Sequence, residues 1–213
     1  MPTKRATTPT RRPAPPTAHQ TVGPFFPVQF IAPSDNDLAG LSNGRARAAG
    51  APCAIVGTVL DAFDKPGVNV ILEIWQANAA GRFNHPNDRG PAPLDPHFTG
   101  WGRTATARDG SYRFVTVKPG GYRAGARSNR WFAPRILVTV IGSGLMRPLV
   151  TCLYFPDEAA NDEDPQLEAI RNPAARRQLI ARPEADPGAP AGVPTFRFDI
   201  RLGGKHATPF LED

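Results

Sequence analysis

From residue 53 the chain breaks into short apolar runs, in several of which apolar and polar residues alternate. Successive side chains of a strand face opposite sides, so this spacing predicts strands rather than helices. The plainest case is near the end, where Phe196, Phe198, Ile200 and Leu202 alternate with Thr195, Arg197, Asp199 and Arg201. Further strands are predicted over 53–60, 68–76, 103–107, 111–117, 136–141 and 149–155. In the second of these, Val68, Val70, Leu72 and Ile74 share one face, and Asn69 and Glu73 the other. Ile71 and Trp75 make that second face partly apolar, so a covering layer is expected over it. The 136–141 run is apolar and β-branched, as in a strand buried on both faces. Asp64-Lys65-Pro66-Gly67 reads as a turn, and Asp109-Gly110 as the turn of a hairpin between 103–107 and 111–117.

Helix is predicted in one region only. Asp164-Pro165 and Asn172-Pro173 each place a capping side chain before a proline at the first helical position. Leu167, Ile170, Leu179 and Ile180 supply the apolar contacts. The pattern is mostly β: a sandwich of about seven to eight strands with long loops and two short inserted helices. The longest loop, 77–100, is polar and proline-rich, a length that in a compact domain points to function or an interface. Residues 33–50 read as loop, and Val22-Gly23-Pro24-Phe25-Phe26 as an extended segment whose two aromatics need burial.

Composition adds a boundary. Residues 1–20 hold Lys4, Arg5, Arg11 and Arg12 with no acid among Thr, Pro and Ala, so four of the six net positive charges lie in a segment that cannot form a core. The expected organisation is a disordered basic tail over 1–20 and one domain over 21–213. The body is nearly neutral, which argues against nucleic acid as a partner. No apolar run approaches the roughly 18 residues that span a bilayer, so no membrane helix is expected. Cys53 and Cys152 sit in apolar runs and are expected as buried, unpaired thiols of a protein in the reducing cytoplasm.

Self-contained catalytic motifs are absent: no Gly-x-Ser-x-Gly, phosphate loop, dinucleotide fingerprint or Cys-x-x-Cys occurs. Of the four histidines, His19 is in the tail, His206 is near the C-terminus, and His85 and His97 lie in the long loop. The loop histidines are read as surface groups, and Asp88 and Asp95 as acceptors that organise the loop.

A resemblance emerges from several motifs taken together. The segments Leu72-Glu73-Ile74-Trp75-Gln76-Ala77-Asn78, Pro91-Ala92-Pro93-Leu94-Asp95-Pro96, Gly102-Arg103-Thr104-Ala105-Thr106, Thr116-Val117-Lys118-Pro119-Gly120, Leu153-Tyr154-Phe155-Pro156-Asp157-Glu158 and Phe196-Arg197-Phe198-Asp199-Ile200-Arg201 resemble, in order, the intradiol ring-cleaving dioxygenases. The resemblance covers about residues 20–212. It implies a ferric iron held by two tyrosinates and a His-x-His pair, at which a catechol is chelated and attacked by O₂.

This chain departs from that pattern at the ligands. Gly90 stands at the first tyrosine's place, and Arg135 and Leu137 replace the two histidines. Tyr122 is the only ligand-type residue retained. One phenolate cannot hold the iron, and a guanidinium at a ligand position would repel it. Two-subunit members of the family pair an iron-binding beta subunit with an alpha subunit that has lost the ligands, and this chain resembles the alpha kind. The implied partner is a beta subunit that holds Fe(III), in a hetero-oligomer sharing its site for O₂ and a catechol acid. Thr21, Gly23, Pro24 and Phe25 match the alpha-subunit segment that lines the partner's pocket. Ser143 stands where many alpha subunits carry an arginine that attracts the substrate carboxylate; Arg147 or Arg135 are the candidates to supply that charge instead. The isolated chain is expected to be inactive. The competing reading is a stand-alone binding or scaffold protein that kept the sandwich without the iron site.

Overall fold

The strand β1 (Pro52–Leu60) organises the first of two sheets. It runs antiparallel to β4 (Ser111–Val117) along that strand's whole length, from Thr58 opposite Ser111 to Pro52 opposite Val117. Its other edge pairs in parallel with β10 (Thr195–Arg197) and then with β11 (Ile200–Arg201), and β9 (Arg182–Glu184) completes the sheet beside β10. The second sheet has the order β3 (Trp101–Ala105), β2 (Ile71–Trp75), β7 (Arg135–Ile141), β8 (Leu149–Tyr154), all antiparallel. A two-stranded ribbon of β5 (Tyr122–Arg123) and β6 (Trp131–Phe132) lies beside it. These assignments come from a computed structural model, which describes residues 17, 18, 20, 23, 28–41, 47–125 and 128–211.

The two sheets face each other across one core. Cys53, Ile55 and Val59 of β1 and Phe114 of β4 meet Leu72 and Ile74 of β2 and Ile136, Val138 and Val140 of β7 in a single buried cluster. Each such aliphatic or aromatic side chain contributes roughly 1.5–3 kcal/mol on burial. Counting β10 and β11 as one interrupted strand, the sheets hold eight strands, as the alternation predicts. The interruption has a local cause. A Cβ on Gly57 would lie 2.0 Å from the carbonyl oxygen of Phe198, so the chains approach closely there. At the break, the Asp199 carboxylate accepts the amide of Thr58 (3.0 Å), replacing a backbone acceptor.

One side of the sandwich is closed by the segment before β1. The Asp35 carbonyl accepts the Arg103 amide of edge strand β3, while Leu38 and Asn36 exchange backbone bonds with Val115 of edge strand β4. Among its described residues 33–41 and 47–50 there is no helix or strand, as expected, yet Leu38 and Ala39 are buried.

Several details differ from the sequence reading. Asp109-Gly110 does not turn a hairpin within one sheet, because β3 pairs with β2 and β4 with β1; the turn carries the chain between sheets. The second strand begins at Ile71, since Asn69 adopts φ 55° and leaves Val68 exposed. The outer face of β7 is only half covered, with Leu137 and Thr139 partly accessible, because the helices lie over one end of it. Those helices are α1 (Pro165–Ala169) and α2 (Pro173–Gln178), capped by Asp164 and Asn172 as predicted. Leu167 and Leu179 form a second apolar cluster with Ala133, Cys152 and Tyr154 on that outer face. Cys53 and Cys152 are both buried and free. Among the described residues, no helix is long and apolar enough to cross a membrane.

Candidate functional site

On β7 the inward residues are Ile136, Val138 and Val140, so Arg135 and Leu137 project together from the outer face. Cross-strand register sets Tyr154 opposite Arg135 and Cys152 opposite Leu137. The ribbon β5–β6 brings Tyr122 and Phe132, themselves register partners, to the same place. α1 closes the cluster with Asp164 and Gln166. Two sheet strands, a ribbon and a capped helix therefore converge on one guanidinium.

Arg135 is 6% exposed and well partnered. Its Nε donates to the Tyr122 hydroxyl at 2.9 Å, and its Nη1 donates to the Tyr154 hydroxyl at 3.2 Å and to the side-chain oxygen of Gln166. The Cys152 sulfur lies 3.8 Å from the same Nη1. The guanidinium also stacks over Phe132, 3.5 Å from the ring centroid, and stands 5.4 Å from the centre of Tyr122. Such contacts favour the cation where water is excluded.

The balancing carboxylate is one residue removed. Tyr154 accepts from Arg135 and donates its own proton to Asp164 Oδ1 at 3.0 Å. Asp164 is fully buried, and accepts the amides of Gln166 and Leu167 as helix cap and that of Ala133 at 2.8 Å. The phenol thus links a buried cation to a buried anion.

Electrostatics keep the arrangement as drawn. Burial pushes the Tyr122 phenol above its ordinary value, with Arg135 pulling the other way. Burial likewise lifts the Cys152 thiol to about 11, again opposed by Arg135. Burial works against the charge on Arg135, but the surrounding thiol and phenol oxygens outweigh it and the guanidinium stays protonated.

The long loop reaches the site through a stack of rings. Phe83 packs edge-on against Tyr122 with centroids 4.8 Å apart, and lies against Trp75, the register partner of Leu137. Gly90 is farther along this loop, where its amide donates to Asp88 Oδ1 at 2.8 Å. Asp88 also accepts the Phe83 amide, and Asp95 accepts the amides of Ala49 and His97, so both acids organise the loop as expected. Asn78 holds the loop's base by accepting the Ala80 and Arg82 amides and donating to the Pro93 carbonyl. His85 and His97 are exposed.

The positions singled out in the sequence therefore divide. Tyr122 and Arg135 are in direct contact, Leu137 is on the same face, and Gly90 joins only through Asp88 and Phe83. Ser143 is elsewhere: it sits exposed in the turn after β7, roughly 20 Å along the strand from Arg135 at about 3.3 Å per residue. Arg135 cannot supply charge to a bound carboxylate, since it is enclosed and committed. Thr21, Pro24 and Phe25 lie outside the described residues. Gly23 has φ 64°, a conformation that favours glycine, and a Cβ there would meet no described residue within 4 Å. Sequence reasoning misses Tyr154, Gln166 and Asp164 as members of the cluster. The available signal is the spacing of Tyr154, two residues after Cys152 and so on the same face of its strand.

The donors at these positions do not fit a ferric ion. They comprise one phenol that holds its proton, one thiol raised to about 11, and a guanidinium in contact with both. A hard trivalent cation needs several anionic or imidazole donors and would meet a fixed positive charge instead.

Comparison with known proteins places the fold in a family. The family model described as "Dioxygenase" matches residues 21–204. The alpha chain of protocatechuate 3,4-dioxygenase from Burkholderia cepacia is 37% identical, over 92% of this chain and 96% of that one. The beta chain of protocatechuate 3,4-dioxygenase from Burkholderia cepacia is 38% identical, over 87% of this chain and 79% of its own length. Among solved structures, the dioxygenase domain of a dioxygenase carbohydrate-binding protein fusion from Streptomyces sp. SirexAA-E superposes with a TM-score of 0.57 at 26% identity, over 89% of this chain and 99% of that domain. Identity alone does not separate the alpha from the beta type; the match spans 96% of the alpha chain and 79% of the beta chain.

Proposed function

This chain belongs to the intradiol ring-cleaving dioxygenase family, and from that membership we propose that it is the alpha, non-iron-ligating subunit of a protocatechuate 3,4-dioxygenase. The reaction is cleavage of 3,4-dihydroxybenzoate between its hydroxyl-bearing carbons. Both atoms of O₂ enter the product, 3-carboxy-cis,cis-muconate. In this reading a beta subunit holds the Fe(III), and this chain supports it and lines its substrate pocket with Thr21, Gly23, Pro24 and Phe25, and with Ser143. The assembly is a hetero-oligomer. Two buried free thiols suit a cytoplasmic location.

One observation carries the proposal: Arg135, which the resemblance sets at a ligand position, is hydrogen-bonded to Tyr122, the ligand-type residue that the resemblance leaves in place. The contact commits this chain's own centre to structure, so chemistry must come from a partner. Near-complete coverage of the Burkholderia alpha chain adds support.

The test is co-expression with a beta-type chain that carries both tyrosines and the His-x-His pair. The purified pair should consume O₂ with 3,4-dihydroxybenzoate, one O₂ per ring, while this chain alone is inactive. A chain that stays monomeric beside such a partner and adds nothing to its activity would contradict the proposal.

A further inference from the structure

A cavity of about 360 Å³ opens between the end of α2, the strands β9, β10 and β11, and the loop that follows them. Arg177, Gln178, Arg182, Arg197, Arg201 and His206 line it. Among the lining residues a single carboxylate, Asp199, stands beside the four arginines, and both its oxygens are engaged. Its Oδ1 accepts the Thr58 amide at 3.0 Å and Arg197 Nη1 at 2.9 Å, and its Oδ2 accepts Arg182 Nη2 at 3.1 Å. Arg197 also meets Glu184 at 3.1 Å, and Arg201 pairs with Asp64. Each guanidinium carries five N–H donors, so these bonds leave most of them uncommitted.

The rest of the lining also suits a ligand. Arg177 is exposed on α2, and its side chain forms no ion pair or hydrogen bond with any described residue. Leu60 and Ile180 add apolar wall suited to a carbon skeleton.

We propose that this cavity is a binding site for a small oxyanion with at least two negative groups, carboxylate or phosphate, held chiefly by Arg177 with Arg182 and Arg201. Planar guanidiniums recognise both groups through paired, charge-assisted hydrogen bonds. The volume falls in the range of small-molecule sites. This site draws its arginines from α2, β9, β10 and β11, shares no residue with the Arg135 cluster, and does not depend on the subunit reading.

Isothermal titration of the full chain with citrate and, separately, with inorganic phosphate tests it, with NaCl added to hold ionic strength constant. The expected result is saturable binding of one equivalent of at least one probe, weakened at least tenfold in Arg177→Glu and to a lesser degree in Arg177→Gln. Arg177 is exposed and unbonded, so both variants should keep the parent circular dichroism and urea midpoint. Preference for citrate over phosphate assigns the site to polycarboxylates, and the reverse to phosphates. Absence of saturable binding by both probes, or equal affinity in the parent and both variants, overturns the proposal.

Discussion

Arg135 Nε donates a 2.9 Å hydrogen bond to the hydroxyl of Tyr122, so the cation and the phenol of this outer-face cluster bind each other rather than a metal. The contact is supported on every side: Phe132 beneath the guanidinium, Gln166 and Tyr154 at Nη1, and Asp164 behind Tyr154. Removing any one of these supports should therefore carry a measurable cost.

Arg135→Met should destabilise the fold by about 2–4 kcal/mol. It removes a buried charge and leaves Tyr122, Tyr154 and Gln166 without their donor. Arg135→Lys should fall between, because an ammonium cannot reproduce the guanidinium fork. Urea denaturation monitored by tryptophan fluorescence measures both, and a loss below about 0.5 kcal/mol for the Met variant would show that the cluster is dispensable.

Asp164→Ala removes a helix cap, the acceptor of the Ala133 amide and the acceptor of the Tyr154 proton at once. The expected loss is about 2–5 kcal/mol. Asn172→Ala, an exposed cap with one bond, should cost about 1 kcal/mol. Comparing the two urea midpoints separates the role of Asp164 in the cluster from capping alone.

Stability should decline at alkaline pH. Burial raises the Cys152 thiol to about 11 and the Cys53 thiol to about 12, above the ordinary value of 9.0. Between the unfolded and folded values the native state binds more protons, so stability falls as pH rises. The contribution is intact below pH 9.0 and is lost through about pH 11 for Cys152 and about pH 12 for Cys53. Each thiol adds a slope of up to about 1.4 kcal/mol per pH unit within its window. Urea titrations from about pH 8 to about pH 11 in the Cys152→Ser variant and the parent isolate the share of Cys152.

Much of this was legible in the chain because it is local. The two helices were announced by Asp164-Pro165 and Asn172-Pro173, and the core face of β2 by the alternation that puts Val70, Leu72 and Ile74 on one side. What escaped was set by distant partners. β9 contains Pro183, which argues against a strand until β10 supplies an edge for it. β5 and β6 are two residues each and exist because Tyr122 and Phe132 meet across them. The turn at Asp109-Gly110 carries no mark of which sheet its arms join. At the site, the residues at the expected ligand positions could be read one by one. Their replacement by a connected network, through Tyr154 to Asp164, could not, because residues far apart in sequence form it.

Restoring the ligands should restore iron. With Tyr122 in place, the combined variant Gly90→Tyr, Arg135→His, Leu137→His should bind ferric iron in the chain alone and show visible tyrosinate-to-iron absorption. Arg135→His by itself should bind none stoichiometrically. Iron analysis with the visible spectrum distinguishes the two, and stoichiometric iron in the single variant would mean that Arg135 alone blocked an otherwise complete site.

The decisive experiment is an iron assay on the unmodified chain, expressed by itself in iron-supplemented medium. With Arg135 and Tyr122 bound to each other, this chain's own centre is closed to the metal, and the proposed assembly keeps its iron in the partner. The lone protein should therefore be colourless and hold far less than one iron per chain, with colour appearing once a beta-type partner is present. Stoichiometric iron with visible absorption in the lone chain would refute both the closed centre and the subunit assignment built on it.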